Sequence, residues 1–214
     1  MNQVPSMNEP PNPWLALPLE RYERHMQDVL QLDALSELFG AALEWCRPRS
    51  VAILGVAGGN GLERIDSAVT TRIVGVDINP SYVAQVRERY RNLPGLELHP
   101  IDLSTETAAF SPVQLTHAAL IFEHAGVERC LDNALRMTAA GGHLSVVLQK
   151  PGAWERTIDG RQHSAGRLLG SDPAMLDPDW FSSRVAACGP ALVHQTEHAV
   201  WGGTFWMGIF AVAR

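Results

Sequence analysis

Residues Ser50 to Gly61, reading S-V-A-I-L-G-V-A-G-G-N-G, run a short apolar strand straight into four glycines, and a second apolar run then ends in Asp77. A strand that stops at glycines lets the backbone pass close to a ligand, because a Cβ there would occupy the ligand's volume and several positions need positive φ. A helix expected from about Asn60 would aim its unpaired N–H groups at whatever lies on the loop. An acid at the tip of the second strand then meets a ribose, since a carboxylate is acceptor-only and takes both hydroxyl protons of a cis-diol. The pairing predicts a nucleoside site at the carboxyl edge of a sheet.

The detail of the loop narrows the ligand. A dinucleotide loop reads G-x-G-x-x-G. With Gly55 as the first glycine, the second place holds Ala57 and the third Asn60; starting from Gly59, the last place is Arg64. No Gly-Lys-Ser/Thr follows, which excludes a P-loop.

Beyond the loop, strand and helix alternate. Strands are expected at Val51–Leu54, Ile73–Val76, Leu96–His99, Thr116–Ile121 and His143–Leu148, each short and apolar as strands covered on both faces should be. Helices should start near Asn60, at Asn79-Pro80 and at Gly126, the last closed by Gly141 in a left-handed conformation. Asp177-Pro178 begins another helix through about Ala187, and Ala191–Val200 and Thr204–Val212 form an antiparallel hairpin across Gly202-Gly203. These units imply an α/β fold: a doubly wound, mostly parallel, seven-stranded Rossmann-like sheet ending in a C-terminal hairpin. Before it, Leu19 to Cys46 repeats apolar residues at three- and four-residue intervals, giving one helix, or two broken near Asp33, packed on the fold as a helical lid.

At 214 residues and 46% hydrophobic content the chain can bury one substantial core, which fits one domain over residues 14–214, with residues 14–47 as its N-terminal helical segment. The proline-rich stretch 1–13 reads as a disordered arm. Net charge is -6 and no Lys/Arg stripe is present, which argues against nucleic-acid binding. Cys46, Cys130 and Cys188 are too few and too far apart for a metal cluster or disulfide framework and read as reduced, buried residues; no metal is expected. No apolar run approaches membrane-spanning length and the amino end lacks a signal-peptide pattern, so a cytoplasmic protein without a membrane partner is expected.

Four segments in order resemble the class I S-adenosylmethionine (SAM) dependent methyltransferases: the glycine loop, V-G-V-D-I-N-P at Val74–Pro80, P-I-D-L at Pro100–Leu103, and L-I-F-E-H-A at Leu120–Ala125 with A-A-G-G at Ala139–Gly142. The resemblance covers roughly Val51 to Val212. It implies SAM as cofactor, with S-adenosylhomocysteine as product. Gly55, Val56, Ala57, Gly59, Asn60 and Gly61 would form the cofactor loop. Asp77 would hold the ribose hydroxyls, Ile78 would pack on the adenine, Asp102 beside Leu103 would accept the adenine amino group, and Ala118, Ala119 and Leu120 would line the methionine part. Two departures stand out: Ile53 occupies the place of the family's first acid, and Ala57 replaces a glycine. Each acid also has a plainer use, Asp77 in starting the helix at Asn79-Pro80 and Asp102 in capping a turn at Ser104.

The segment Glu20–Met26, E-R-Y-E-R-H-M, looks like the Y-E-x-H-M segment of one group of small bacterial methyltransferases. Tyr22 is expected to meet the carboxylate or sulfonium end of the cofactor, offsetting the acid missing at Ile53, and His25 to approach the same site; the alternative keeps Tyr22 core-facing and His25 solvated. His25, Glu123 and His124 are the candidates for a general base, and Gln149 for contact with a small-molecule acceptor. The stretch 150–176, with Arg156, Arg161 and Arg167, is expected to cover the substrate. Competing readings are an NAD(P)-dependent oxidoreductase, disfavoured by the loop and the hairpin, and a noncatalytic SAM-binding or regulatory protein.

Overall fold

Apolar runs too short for helices and flanked by turn residues pair here into one seven-stranded sheet. The computed structural model describes residues 12–150, 174–200 and 203–213. The expected arm therefore lies largely outside the described residues, as does most of the expected substrate cover with its three arginines. Strand order is β3-β2-β1-β4-β5-β7-β6, with β1 at Ser50–Leu54, β2 at Arg72–Asp77, β3 at Leu96–Pro100, β4 at Val113–Ala119, β5 at Thr138–Gln149, β6 at Ala191–Val200 and β7 at Gly203–Ala211. The first five pair in parallel, and β7 runs antiparallel to both β5 and β6. The expected sheet and terminal hairpin are both present.

The helices are α1 (Leu19–Asp28), α2 (Gln31–Cys46), α3 (Pro80–Arg89), α4 (Phe122–Ala125), α5 (Val127–Met137) and α6 (Pro178–Ala187). Asn79 caps α3 by accepting from Ser81 N at 2.9 Å, and Asp177 caps α6 through the N–H groups of Asp179 and Trp180. Each cap satisfies donors that have no partner within the helix. The N-terminal segment is two helices, and the break falls at Leu30, in a left-handed conformation at φ 55°, rather than near Asp33.

Each layer of helices covers one face of the sheet. Ala34, Leu38, Phe39 and Ala42 of α2 bury against Val51, Ile53, Leu115 and Ile209. On the opposite face Phe122, Leu131 and Met137 join Phe181 and Val185 of α6 over Val74, Val146 and Phe210. Ile53 is thus a core residue on the α2 side, 8% exposed.

The sequence expectations need four corrections. No helix follows the glycine loop; residues 62–64 make a single 3-10 turn capped by Gly61. The chain from there to Arg72 is spent on turns, in which the Asp66 carbonyl accepts from Val69 and Thr70 and the Thr70 hydroxyl donates to the Pro48 carbonyl. This face of the sheet is covered by α2 instead. Secondly, Gly141 does not close α5: the helix passes directly into β5 at Thr138, and Gly141 (φ 75°) lies in an irregular stretch where the β4–β5 register shifts. The fourth strand also stops at Ala119, where Leu120 turns left-handed (φ 55°) and Phe122 opens the unexpected α4. Finally, Cys188 is exposed; Cys130 is buried and Cys46 half-buried.

Candidate active site

At the carboxyl ends of β1, β2, β4 and β5 lies a cleft of about 1050 Å³ counted with its open mouth, where open α/β sheets place their ligands. Asp77, at the tip of β2, is its structural hinge. One carboxylate oxygen accepts from Ala57 N at 2.8 Å and the other from Asn79 N at 2.9 Å. These bonds tie the glycine loop to the start of α3. Burial pushes the carboxyl above its ordinary range, and the two N–H groups oppose that push by favouring the charged form. Each oxygen keeps a further lone pair for a ligand hydroxyl. Asp102, after β3, accepts from the backbone N–H and hydroxyl of Ser104 and also lines the cleft. Both acids therefore serve the plainer turn-forming use and still face the ligand space.

Of the expected loop residues, only Gly55 and Ala57 reach the cleft. Gly55 has φ 74°, and a Cβ there would come within 3.2 Å of Ile121 Cδ1. Ala57 adopts φ 44° with a side chain, a conformation that favours glycine. The other loop residues turn to packing. Val56 is in the core, a Cβ on Gly59 would meet Tyr90 at 2.5 Å, one on Gly61 would meet Phe39 at 2.8 Å, and Asn60 donates its amide to the Leu32 carbonyl. Ile78, Leu103, Ala119 and Leu120 line the cleft as expected, whereas Ala118 is fully buried in the core and does not.

The wall opposite the loop is aromatic. Residues 13–15 form a 3-10 turn that lays Trp14 across the cleft, its ring edge-on to Tyr22 (5.7 Å between centroids) and to His124 (5.0 Å). Two bonds from α3 hold this strap in place: the Asn79 amide donates to the Trp14 carbonyl at 2.8 Å, and the Tyr82 hydroxyl donates to the Leu17 carbonyl at 2.9 Å. Tyr22 faces the cleft, its phenol pKa raised by burial first and by Asp77 and Glu23 after it. Bidentate pairing of Arg89 with Glu23, together with Arg89 donating to the Gly58 carbonyl, fastens α1 to the loop. His25 does not line the cleft, so Tyr22 and His25 do not share a site.

Glu123, in α4, is the other buried acid, 7% exposed. Its Oε1 accepts from Gln149 N at 3.1 Å, and its Oε2 has no hydrogen-bond partner among the described residues. Burial pushes the carboxyl up to about 7. The neighbouring His124 imidazole is pushed down to about 4, again by burial, and is neutral at physiological pH. Gln149 lines the cleft beside them. Met175 lines it too, and the preceding Ala174 N donates to the Glu123 carbonyl at 3.1 Å, so the described end of the expected cover reaches the site.

Sequence reasoning missed Trp14, Gln31 and Tyr82. A tryptophan among prolines in a polar arm was the available signal for Trp14, since so large a ring is seldom left in water. Gln31 is 5% exposed and opens α2 at the cleft; nothing in its neighbourhood distinguishes it from a surface polar residue.

No protein-family profile matches this chain, and a search of curated proteins finds no match. Solved structures do resemble it. The N-methyltransferase NodS from Bradyrhizobium japonicum WM9, in complex with S-adenosylhomocysteine, superposes with a TM-score of 0.62 at 16% identity over 96% of this chain and 94% of that one. The methyltransferase domain of bacterial CtHen1-C gives a TM-score of 0.66 at 18% identity over 84% and 97%. The CcbJ methyltransferase from Streptomyces caelestis gives 0.61 at 12% over 84% and 89%. The chain has the fold of the class I SAM-dependent methyltransferases.

Proposed function

We propose that this protein is a SAM-dependent methyltransferase acting on a small-molecule acceptor. The observation that carries the reading is Asp77: a buried carboxylate at the tip of β2, fixed by the Ala57 and Asn79 N–H groups, facing a cleft walled by Trp14, Tyr22 and Tyr82. The residues fit SAM. Asp77 would take the ribose hydroxyls, Ile78 and Leu103 would flank the adenine, and Asp102 would accept its amino group. Tyr22, with Gln31 nearby, would meet the methionine end in place of the acid missing at Ile53. No lysine or arginine among the described residues lines the cleft, and no helix dipole backs the loop, which supports a cationic sulfonium over a dinucleotide pyrophosphate. The fold neighbour bound to S-adenosylhomocysteine supports the same choice.

When bound, SAM supplies an electrophilic methyl group on a positively charged sulfur. The protein's part is to hold donor and acceptor in line and to keep water out. Trp14, Tyr22 and His124 would exclude water from one side and Leu120 and Ile121 from the other, while Glu123 and Gln149 would orient the acceptor. Thermal-shift measurements with SAM, S-adenosylhomocysteine and NAD test the reading, because a ligand of the native state raises the melting temperature. Stabilisation by the two adenosyl ligands and none by NAD is expected; the reverse pattern overturns it.

A further inference from the structure

Three acids, Asp77, Asp102 and Glu123, line the cleft, and no lysine or arginine among the described residues does. Two of the three need no further donor. Asp77 has a backbone N–H on each oxygen, and Asp102, only partly buried, takes both Ser104 donors on Oδ1 and keeps Oδ2 within reach of water. Glu123 differs, because Oε1 is anchored by Gln149 N while Oε2 stays buried with no partner among the described residues. A buried polar atom left unpaired forfeits its hydration with nothing in return. Such an atom, on a residue lining a ligand cleft, marks a place where a ligand donor belongs.

Resting on the methyltransferase reading, we infer that the acceptor is an amine, whose N–H donates to Glu123 Oε2 and whose proton that carboxylate removes before methyl transfer. An anionic acceptor would meet three acids with no described counter-charge. A hydroxyl would place one weak donor on the same oxygen. An ammonium brings a full positive charge and several donors, and charge-assisted bonds of this kind are about twice as strong as neutral ones. The apolar and aromatic wall built by Trp14, Tyr22 and Ile121 suits an amine carried on a hydrophobic body.

The step balances. The proton moves from the ammonium nitrogen to Glu123 Oε2, leaving a neutral amine with a lone pair. That lone pair forms the new N–C bond as the C–S bond of SAM breaks, with its electrons remaining on sulfur. A methylammonium product and neutral S-adenosylhomocysteine result, and protonated Glu123 returns its proton to solvent. A carboxyl poised at about 7 suits this exchange at neutral pH. The titratable groups around it are His124 on α4, Cys130 on α5, Asp77 and Asp102 beyond β2 and β3, and Tyr22 and Tyr82 on α1 and α3. His124, held neutral and edge-on to Trp14, belongs to the wall and takes no proton in this scheme.

The test uses the full-length protein saturated with S-adenosylhomocysteine, titrated by calorimetry with primary amines from methylamine to phenethylamine and with the matched alcohols and carboxylates. At least one amine should bind tenfold or more tightly than its alcohol and carboxylate, with affinity rising between about pH 6 and 8 as Glu123 ionises. Glu123→Gln, which keeps an acceptor for Gln149 N, should erase both the preference and its pH dependence while S-adenosylhomocysteine still stabilises the protein. Should that variant not fold, the wild type serves alone, through the proton exchange read in buffers of different ionisation enthalpy on amine binding. Equal affinity for the three classes, preference for carboxylates, or no amine binding across the series overturns the inference. Absence of any S-adenosylhomocysteine stabilisation instead overturns the methyltransferase reading beneath it.

Discussion

Asp77 and Glu123 are buried to nearly the same degree at the same edge of the sheet, yet they are built for opposite ends. Both carboxyls are raised by desolvation. Around Asp77 two backbone N–H groups close on both oxygens, so the acid is fixed in place and its negative charge is supported. Among the described residues only one oxygen of Glu123 is held, and the other is the one proposed to take a donor from the acceptor. Desolvation alone therefore does not separate a clamp from a proton acceptor. Which oxygens the fixed donors hold does, since each oxygen of Asp77 has one and Oε2 of Glu123 has none among the described residues.

Removing the clamp should have the largest effect. Asp77→Ala deletes the expected ribose acceptor and leaves the Ala57 and Asn79 N–H groups unpaired. With charged hydrogen bonds worth about 1.5–3 kcal/mol each, S-adenosylhomocysteine affinity should fall by about 10²–10⁴-fold in calorimetry. A loss under threefold would dissolve the distinction between the two acids.

Glu123→Gln sharpens the contrast through stability. The folded carboxyl titrates at about 7 against an ordinary 4.5. A raised pKa means that its contribution is fully present below about pH 4.5 and is lost as pH climbs through 7. At about 1.4 kcal/mol per pKa unit the ceiling of that loss is about 3 kcal/mol. The melting temperature of Glu123→Gln relative to wild type should consequently rise from pH 5 to pH 8, and a flat difference would count against a partnerless carboxylate.

Smaller effects belong to the wall and the strap. Tyr22→Ala should weaken SAM more than S-adenosylhomocysteine, because only SAM carries the sulfonium; a cation–π contribution of about 0.5–2 kcal/mol corresponds to about a two- to thirtyfold change in their affinity ratio. Smallest is Asn79→Ala, which removes the α3 cap and the bond to the Trp14 carbonyl and should cost about 1 kcal/mol in chemical denaturation.

The sheet was legible because its signals are local. Short apolar runs, the Asn79-Pro80 start of α3 and the glycine pair before β7 each announce their element within a few residues. The glycine loop announced a close backbone approach, but not to what: Gly59 and Gly61 make room for Tyr90 and Phe39, neighbours that only the folded chain brings near. The helix expected after Asn60 failed for a related reason, since local propensity says nothing about α2 arriving from earlier in the chain to cover that face. At the site, Asp77, Asp102 and the Glu123-His124 pair could be read from motif order, whereas His25 does not line the cleft. The unpaired oxygen of Glu123 could not be read at all, because it depends on where Gln149 N sits, beyond α5 and the whole length of β5.

That last dependence has a consequence for where damage can enter. Gln149 pairs with Phe205, and Lys150 N donates to the Thr204 carbonyl at 3.1 Å, so the rung next to the Glu123 carboxylate is spaced by the returning strand β7. The aim of that carboxylate is thus inherited from residues near the far end of the chain. Substitutions at Thr204 or Phe205 would mis-set the chemistry while leaving the nucleoside clasp on the other half of the sheet untouched.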